Sequence, residues 1–184
     1  PLGTSHLFTR DVFCFWEDRG EVRMQLKPHA PGIRKFSEQA LTAKARTIIK
    51  SMRASKDSGK AVMFYSCIIG SIPGQTATAI KVADTFVRSL RERLDQVFII
   101  NPAEYFEPGM DGDDLMFMWE QVQRSGLINI WRFQSMEDIE ASFGLMGLKV
   151  PPVWSGKDAT FSTGCTKEMR IALDMQRSHP ELPI

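Results

Sequence analysis

Hydrophobic positions in this chain alternate between short continuous runs and helical spacing from about residue 60 onward. Residues 60–75, KAVMFYSCIIGSIPGQ, are typical of a buried strand that runs into a glycine-containing loop and then into an amphipathic helix. Further strands are predicted at 97–101 and 127–133, with a short edge strand at 149–154. Helices are predicted between and after them, at 78–94, 113–124, 136–147 and 166–177.

Repeated strand and helix units with short links predict an α/β fold with a three-layer parallel sheet of flavodoxin-like or Rossmann-like type. Upstream of it, residues 11–26 are predicted to form an N-terminal hairpin, and residues 33–52 an amphipathic helix with a basic exterior. Residues 1–5 resemble the remnant of a cleaved affinity tag. The predicted domains are therefore 6–59, the hairpin plus helix, and 60–184, an α/β domain of nucleotide-binding type.

Composition narrows the expected partners. Lys and Arg total 23 against 22 Asp and Glu, a net charge of +1, so nucleic acid is not an expected partner. Hydrophobic residues make up 43% of the chain, ample for one core, yet no run approaches a membrane span. The three cysteines, Cys14, Cys67 and Cys165, show neither a disulfide nor a zinc pattern, which favours a cytoplasmic location.

The common catalytic motifs are missing from this sequence. It contains no Walker A sequence, no G-x-G-x-x-G, no G-x-S-x-G and no H-E-x-x-H. The histidines, His6, His29 and His179, fall in terminal segments or before the predicted core, so a histidine-centred triad is not expected. Carboxylates, hydroxyls and one tyrosine remain at the predicted strand ends, and neither a metal nor an organic cofactor is implied.

These strand ends should lie along one edge of a parallel sheet, where α/β proteins bind ligands. The loop of Gly70, Ser71 and Gly74 opens a helix, a position suited to phosphate. The other candidates near the strand ends are Tyr65, Glu104, Asp113, Ser135, Glu137 and Glu140. Such a set suits N-glycosidic chemistry, in which one carboxylate attacks or stabilises the anomeric carbon while an acid protonates the departing base.

Three stretches resemble one family of enzymes. Residues 65–74, YSCIIGSIPG, resemble the Y-x-C-G-S-I-x-G opening of nucleotide N-glycosidases in the nucleoside 2-deoxyribosyltransferase superfamily, with two inserted isoleucines. Residues 140–151, EASFGLMGLKVP, are similar to the family's nucleophile helix and the strand entry after it, and residues 101–104, NPAE, to its second-strand ending. The resemblance covers about residues 60–155.

This resemblance implies a role for several residues. It places Glu140 as the nucleophile, Tyr65 near the sugar, and Gly70, Ser71 and Gly74 beside the sugar or phosphate. The expected partner is a small-molecule nucleotide or nucleoside. Members of the family form dimers, so the resemblance also implies a homodimer.

Two alternatives stay open. One is a TIR-like NAD glycohydrolase, which would also use a helix-borne glutamate against a ribosyl bond. The other is a non-catalytic member of the same fold that binds a nucleotide or a protein partner. The segment before Glu140 lacks the glycine that the family carries there, which favours the non-catalytic alternative.

Overall fold

A computed structural model describes residues 36–184, so the predicted hairpin at 11–26 and residues 1–5 lie outside the described part of the chain. Its elements, in order, are the helices α1 (Glu38–Asp57), α2 (Thr76–Arg93), α3 (Gly112–Gln123), α4 (Met136–Leu145) and α5 (Thr163–Ser178), interleaved with the strands β1 (Ala61–Ser66), β2 (Val97–Ile100) and β3 (Ile130–Phe133). Short 3-10 turns occupy Pro102–Tyr105 and Ala159–Phe161.

The three strands form one parallel sheet in the order β2-β1-β3. In the middle of the sheet Phe64 lies opposite Ile100 on one side and Trp131 on the other. The α/β class and the parallel sheet predicted from the alternating pattern are therefore confirmed. All three strands end at the same edge, which we call the carboxyl edge.

Side chains of the central strand β1 alternate between two hydrophobic clusters. Val62 and Phe64 pack with residues of α1, α3 and α5, and the ring of Phe64 makes an edge contact with Trp119 at 5.5 Å between centroids. Met63 and Tyr65 point the other way and pack against α2, where Phe86 lies. Every residue of β1 after Ala61 is buried, as expected for a strand covered on both faces.

Helix α1 belongs to the same core as the strands. Ser37 caps its start, since its hydroxyl accepts a hydrogen bond from the Ala40 backbone N–H at 3.2 Å. The buried side chains of α1 are Leu41, Ala45, Ile48 and Met52, and all four join the cluster that contains Val62 and Phe64. The predicted boundary at residues 59 and 60 therefore does not separate two cores within residues 36–184.

The predicted edge strand at 149–154 is wrong. Residues 152–156 form turns, and the Trp154 backbone N–H donates to the Pro151 carbonyl at 2.8 Å. Two consecutive prolines, Pro151 and Pro152, remove the N–H groups that a strand would pair. Trp154 is buried all the same, at 1% exposure, because it packs against Phe143 of α4.

Because one face of α1 is buried and the other is exposed, substitutions on the two faces should change stability by different amounts. Met52→Ala should lower the free energy of unfolding by about 2–5 kcal/mol, because it leaves a cavity among fully packed side chains. Arg46→Ala, on the exposed face of the same helix, should change it by less than about 0.5 kcal/mol. Urea denaturation of both variants measures the difference, and equal small losses would show that α1 is peripheral.

Candidate functional site

Two predicted site residues meet at the carboxyl edge through a third residue, Asp138. The Tyr65 hydroxyl donates to Asp138 Oδ2 at 3.3 Å, and the Ser135 backbone N–H donates to the same oxygen at 3.4 Å. Ser135 caps α4 in turn, because its hydroxyl accepts from the Asp138 N–H at 3.2 Å. Ser135 and Asp138 thus form a capping box at the start of α4.

Arg132 completes this cluster with a charge opposite to that of Asp138. Its Nη2 donates to Asp138 Oδ1 at 2.7 Å, and its guanidinium lies 5.3 Å from the centroid of the Phe86 ring. Burial nevertheless raises the pKa of Asp138, although the arginine and the hydrogen bonds counteract it. Burial also raises the pKa of Tyr65 well above its ordinary value, with the nearby Asp138 charge adding to the shift.

The two glutamates of α4 that the sequence nominates do not join this cluster. Glu140, the expected nucleophile, is exposed on α4, and no hydrogen bond to its side chain is present among residues 36–184. Glu137 is exposed as well, and a hydrogen bond from the Ser135 side chain lowers its pKa. The carboxylate that reaches Tyr65 is that of Asp138.

The loop after β1 is fixed by contacts with the chain itself. Ser71 donates its hydroxyl to Ser162 Oγ at 2.9 Å, which ties the loop to the start of α5. Gly70 and Gly74 are exposed. Gly74 has a φ of +69°, a left-handed conformation that favours glycine.

Apolar side chains fill the space behind this loop. Ile68 and Ile72, exposed by 0% and 2%, form one cluster with Phe143 of α4 and with Trp154. The Trp154 indole N–H donates to Gln75 Oε1 at 3.2 Å, which holds the segment after α4 against the start of α2. The space between this loop and the inner face of α4 is therefore filled by core side chains.

The remaining predicted residues make separate contacts. Glu104, in the turn after β2, forms a two-pronged ion pair with Arg91 of α2, with distances of 2.5 and 2.9 Å. Asp113 lies in the first turn of α3, where its backbone N–H donates to the capping residue Asp111 at 3.0 Å. Within residues 36–184 neither carboxylate is hydrogen-bonded to Tyr65 or Asp138, and the two suit the structural roles of ion pair and helix start.

A second buried carboxylate, Glu168 of α5, lies at the carboxyl end of β1. The Ser66 hydroxyl donates to Glu168 Oε2 at 2.5 Å, and Gln123 Nε2 donates to Oε1 at 3.0 Å. Burial raises the pKa of Glu168 to about 7, while these two hydrogen bonds oppose the shift. No arginine or lysine within residues 36–184 pairs with this carboxylate.

A groove with a volume of about 440 Å³ lies between α2 and the end of α4. One side carries Lys81, Asp84 and Arg88, and the other carries Leu145 and Met146. Leu145 is 61% exposed. The groove thus combines cationic groups with apolar surface.

Residues 36–184 contain no group of three or more His, Cys, Asp or Glu side chains that could hold a metal ion. None of their helices combines the length and the apolar character needed to cross a bilayer.

Comparison of the chain with protein-family models, with curated proteins and with solved structures gives no match.

Three residues of these clusters were not among the sequence-based candidates, and two of them left a signal in the sequence. Arg132 is the only charged residue in an otherwise apolar strand, which calls for a buried partner. Glu168 shares the buried face of α5 with Cys165 and Ala172, at helical spacing. For Asp138 the sequence indicates only an acid in the first turn of a helix, and it carries no signal for the contact with Tyr65.

The raised pKa of Glu168 predicts a pH dependence of stability. Because the proton binds more tightly in the folded state than in the unfolded chain, this group's contribution is complete below about pH 4.5 and is lost as the pH rises through about 7. The loss amounts to roughly 3 kcal/mol by linkage. Glu168→Gln, which cannot ionise, should remove this component between pH 5 and 8, as measured by urea denaturation across that range.

Glu140→Gln is the matched control, because it removes an exposed carboxylate from α4. It should keep the pH profile of the unsubstituted protein. A Glu168→Gln profile parallel to that of the unsubstituted protein would contradict the assignment.

Proposed function

We propose that this chain is a ligand-binding member of the three-layer, flavodoxin-like α/β fold and that it binds a nucleotide or nucleoside without cleaving it. The observation that carries the proposal is the filled space behind the β1 loop, where Ile68, Ile72 and Trp154 pack. Glu140 is exposed to solvent on α4, whereas an enclosed active site would exclude water from the nucleophile. The sheet with distinct clusters on its two faces supports the layered arrangement.

The groove between α2 and α4 is the binding site in this proposal. Its volume of about 440 Å³ lies in the range of small-molecule sites. Lys81 and Arg88 supply cations for a phosphate, and Ile80, Leu145 and Met146 supply apolar surface for a base. Asp84 lies between the two cations along α2 and suits a sugar hydroxyl.

Asp84 makes a hydrogen bond that holds it in position. Asn101, at the end of β2, donates its amide to Asp84 Oδ1 at 2.7 Å. Partial burial raises the pKa of Asp84, and the hydrogen bond from Asn101 opposes that shift. The carboxylate is therefore oriented before any ligand binds, which lowers the entropy cost of binding.

Calorimetric titration with a panel of nucleoside monophosphates tests this site. Arg88→Met should weaken nucleotide binding at least tenfold, because it removes a charge that contacts the phosphate. Arg93→Met, on the same helix but outside the groove, is the matched control and should leave the affinity unchanged. Equal losses in the two variants, or no binding by any member of the panel, would overturn the nucleotide assignment and leave a protein partner as the remaining ligand.

The second candidate is the N-glycosidase activity implied by the resemblance, as a nucleotide N-glycosidase, a deoxyribosyltransferase or a TIR-like NAD glycohydrolase. The contact between Tyr65 and Asp138 favours it, since it places a carboxylate beside the residue that the resemblance puts near the sugar. In this candidate Asp138 or Glu140 would be the nucleophile.

One assay separates the two proposals. We expect no release of base from deoxynucleoside monophosphates, and no nicotinamide from NAD, above the background of buffer alone. Base release would favour the transferase-like candidate and nicotinamide release the NAD glycohydrolase, and either would overturn the binding-only proposal. Loss of the activity in Glu140→Gln or in Asp138→Asn would then identify the nucleophile, because removing it lowers turnover by orders of magnitude.

We also propose that the protein forms a homodimer, as the resemblance implies. Its proposed location is cytoplasmic, as the cysteine pattern favours. Light scattering on the purified chain should give twice the mass of one chain if it pairs.

A further inference from the structure

A second cavity lies at the opposite, amino edge of the sheet. Its volume is about 190 Å³. It lies where α1, α3 and α5 end and β3 begins, and the segment 179–182 after α5 forms one wall. This cavity is separate from the groove between α2 and α4 and has no part in the proposed function.

Two side chains that line the cavity each carry a buried polar atom with no hydrogen-bond partner within residues 36–184. The atoms are Gln123 Oε1 and Trp131 Nε1, on side chains that are 0% and 1% exposed. A buried polar atom without a partner costs about 1–3 kcal/mol. A molecule in the cavity that offers one acceptor and one donor would remove both costs after small side-chain adjustments.

Contacts elsewhere determine which end of the Gln123 amide is free. Its Nε2 donates to the buried Glu168 at 3.0 Å, so the atom left over is the oxygen. A small rotation of either side chain would turn the Gln123 acceptor or the Trp131 indole donor toward the cavity that both residues line.

The cavity is also lined by charged side chains and by apolar ones. Lys56 lines the cavity, and its ammonium makes a long contact, of 3.5 Å, with the Leu127 carbonyl. Glu181 and His179 also line it, and they pair at 3.5 Å when the histidine is protonated. Apolar surface comes from Ile128, Met175 and Leu182.

We propose that this cavity binds a small zwitterion of amino-acid size, with its carboxylate toward Trp131 and Lys56 and its ammonium toward Gln123. Glu181, which lines the same cavity, supplies a negative charge for the ammonium, and the apolar residues of the wall contact a side chain of moderate size. The volume agrees with this class, since a cavity of about 150 Å³ holds a benzene ring.

The segment that closes the cavity is held by the chain itself. Gln176 Nε2 donates to the Leu182 carbonyl at 2.8 Å, and the Trp131 backbone N–H donates to the Pro183 carbonyl at 3.1 Å. A ligand therefore enters an existing cavity rather than one that it must create.

Titration of the isotope-labelled chain with L-leucine, followed by the indole N–H signals in nuclear magnetic resonance spectra, tests the proposal. Trp131→Phe identifies the Trp131 signal by its loss. That signal should shift and saturate with L-leucine. Isocaproate, which lacks the ammonium, and isoamylamine, which lacks the carboxylate, should each bind at least tenfold more weakly.

Lys56→Met should weaken L-leucine binding at least tenfold, whereas Lys50→Met, an exposed lysine of the same helix outside the cavity, should leave it unchanged. A Trp131 signal that does not move with L-leucine would overturn the proposal, since the cavity would then hold water alone. Equal binding of L-leucine and both analogues, or equal effects of the two lysine substitutions, would overturn it too.

Discussion

The central position of β1 is the constraint on which the rest of this structure depends. Hydrogen bonds to β2 and β3 satisfy both edges of its backbone, so its side chains are free to be apolar on both faces. Five of its six residues are buried in consequence. The helices α1, α3 and α5 cover the Phe64 side and α2 covers the Tyr65 side, because each face exposes large apolar groups that must be removed from water.

Burial also affects two carboxylates, Asp138 and Glu168, whose charges are compensated in different ways. Asp138 is buried beside the guanidinium of Arg132, so its charge is compensated within hydrogen-bond distance. Glu168 is buried beside neutral donors, Ser66 and Gln123, and its charge is opposed by nothing stronger than a hydrogen bond. Near neutral pH, binding a proton therefore costs less free energy than keeping the charge of Glu168 buried. The charge of Asp138 is compensated by the ion pair with Arg132 instead.

Local patterns sufficed for most of the fold, because strand runs, helical spacing and capping residues are all short-range signals. They failed at residues 149–154, where apolar content came from a buried turn at Trp154 rather than from a strand. The candidate site was harder to predict. Topology brought Tyr65 and Ser135 together, but which acid of α4 turns inward depends on the phase of that helix. Asp138 and Glu140, two residues apart, therefore face nearly opposite directions.

The buried thiols near the carboxyl edge have a consequence for the chemistry of the chain. Cys67 and Cys165 are both free and buried, and burial raises the pKa of Cys67 well above its ordinary value and that of Cys165 to about 12. The thiolate is the form that alkylating reagents and oxidants attack. In the folded chain these sulfurs are therefore doubly shielded, by exclusion of the reagent and by retention of the proton. Their modification requires the interior to open, so its rate follows the opening of the domain rather than the reactivity of the sulfur.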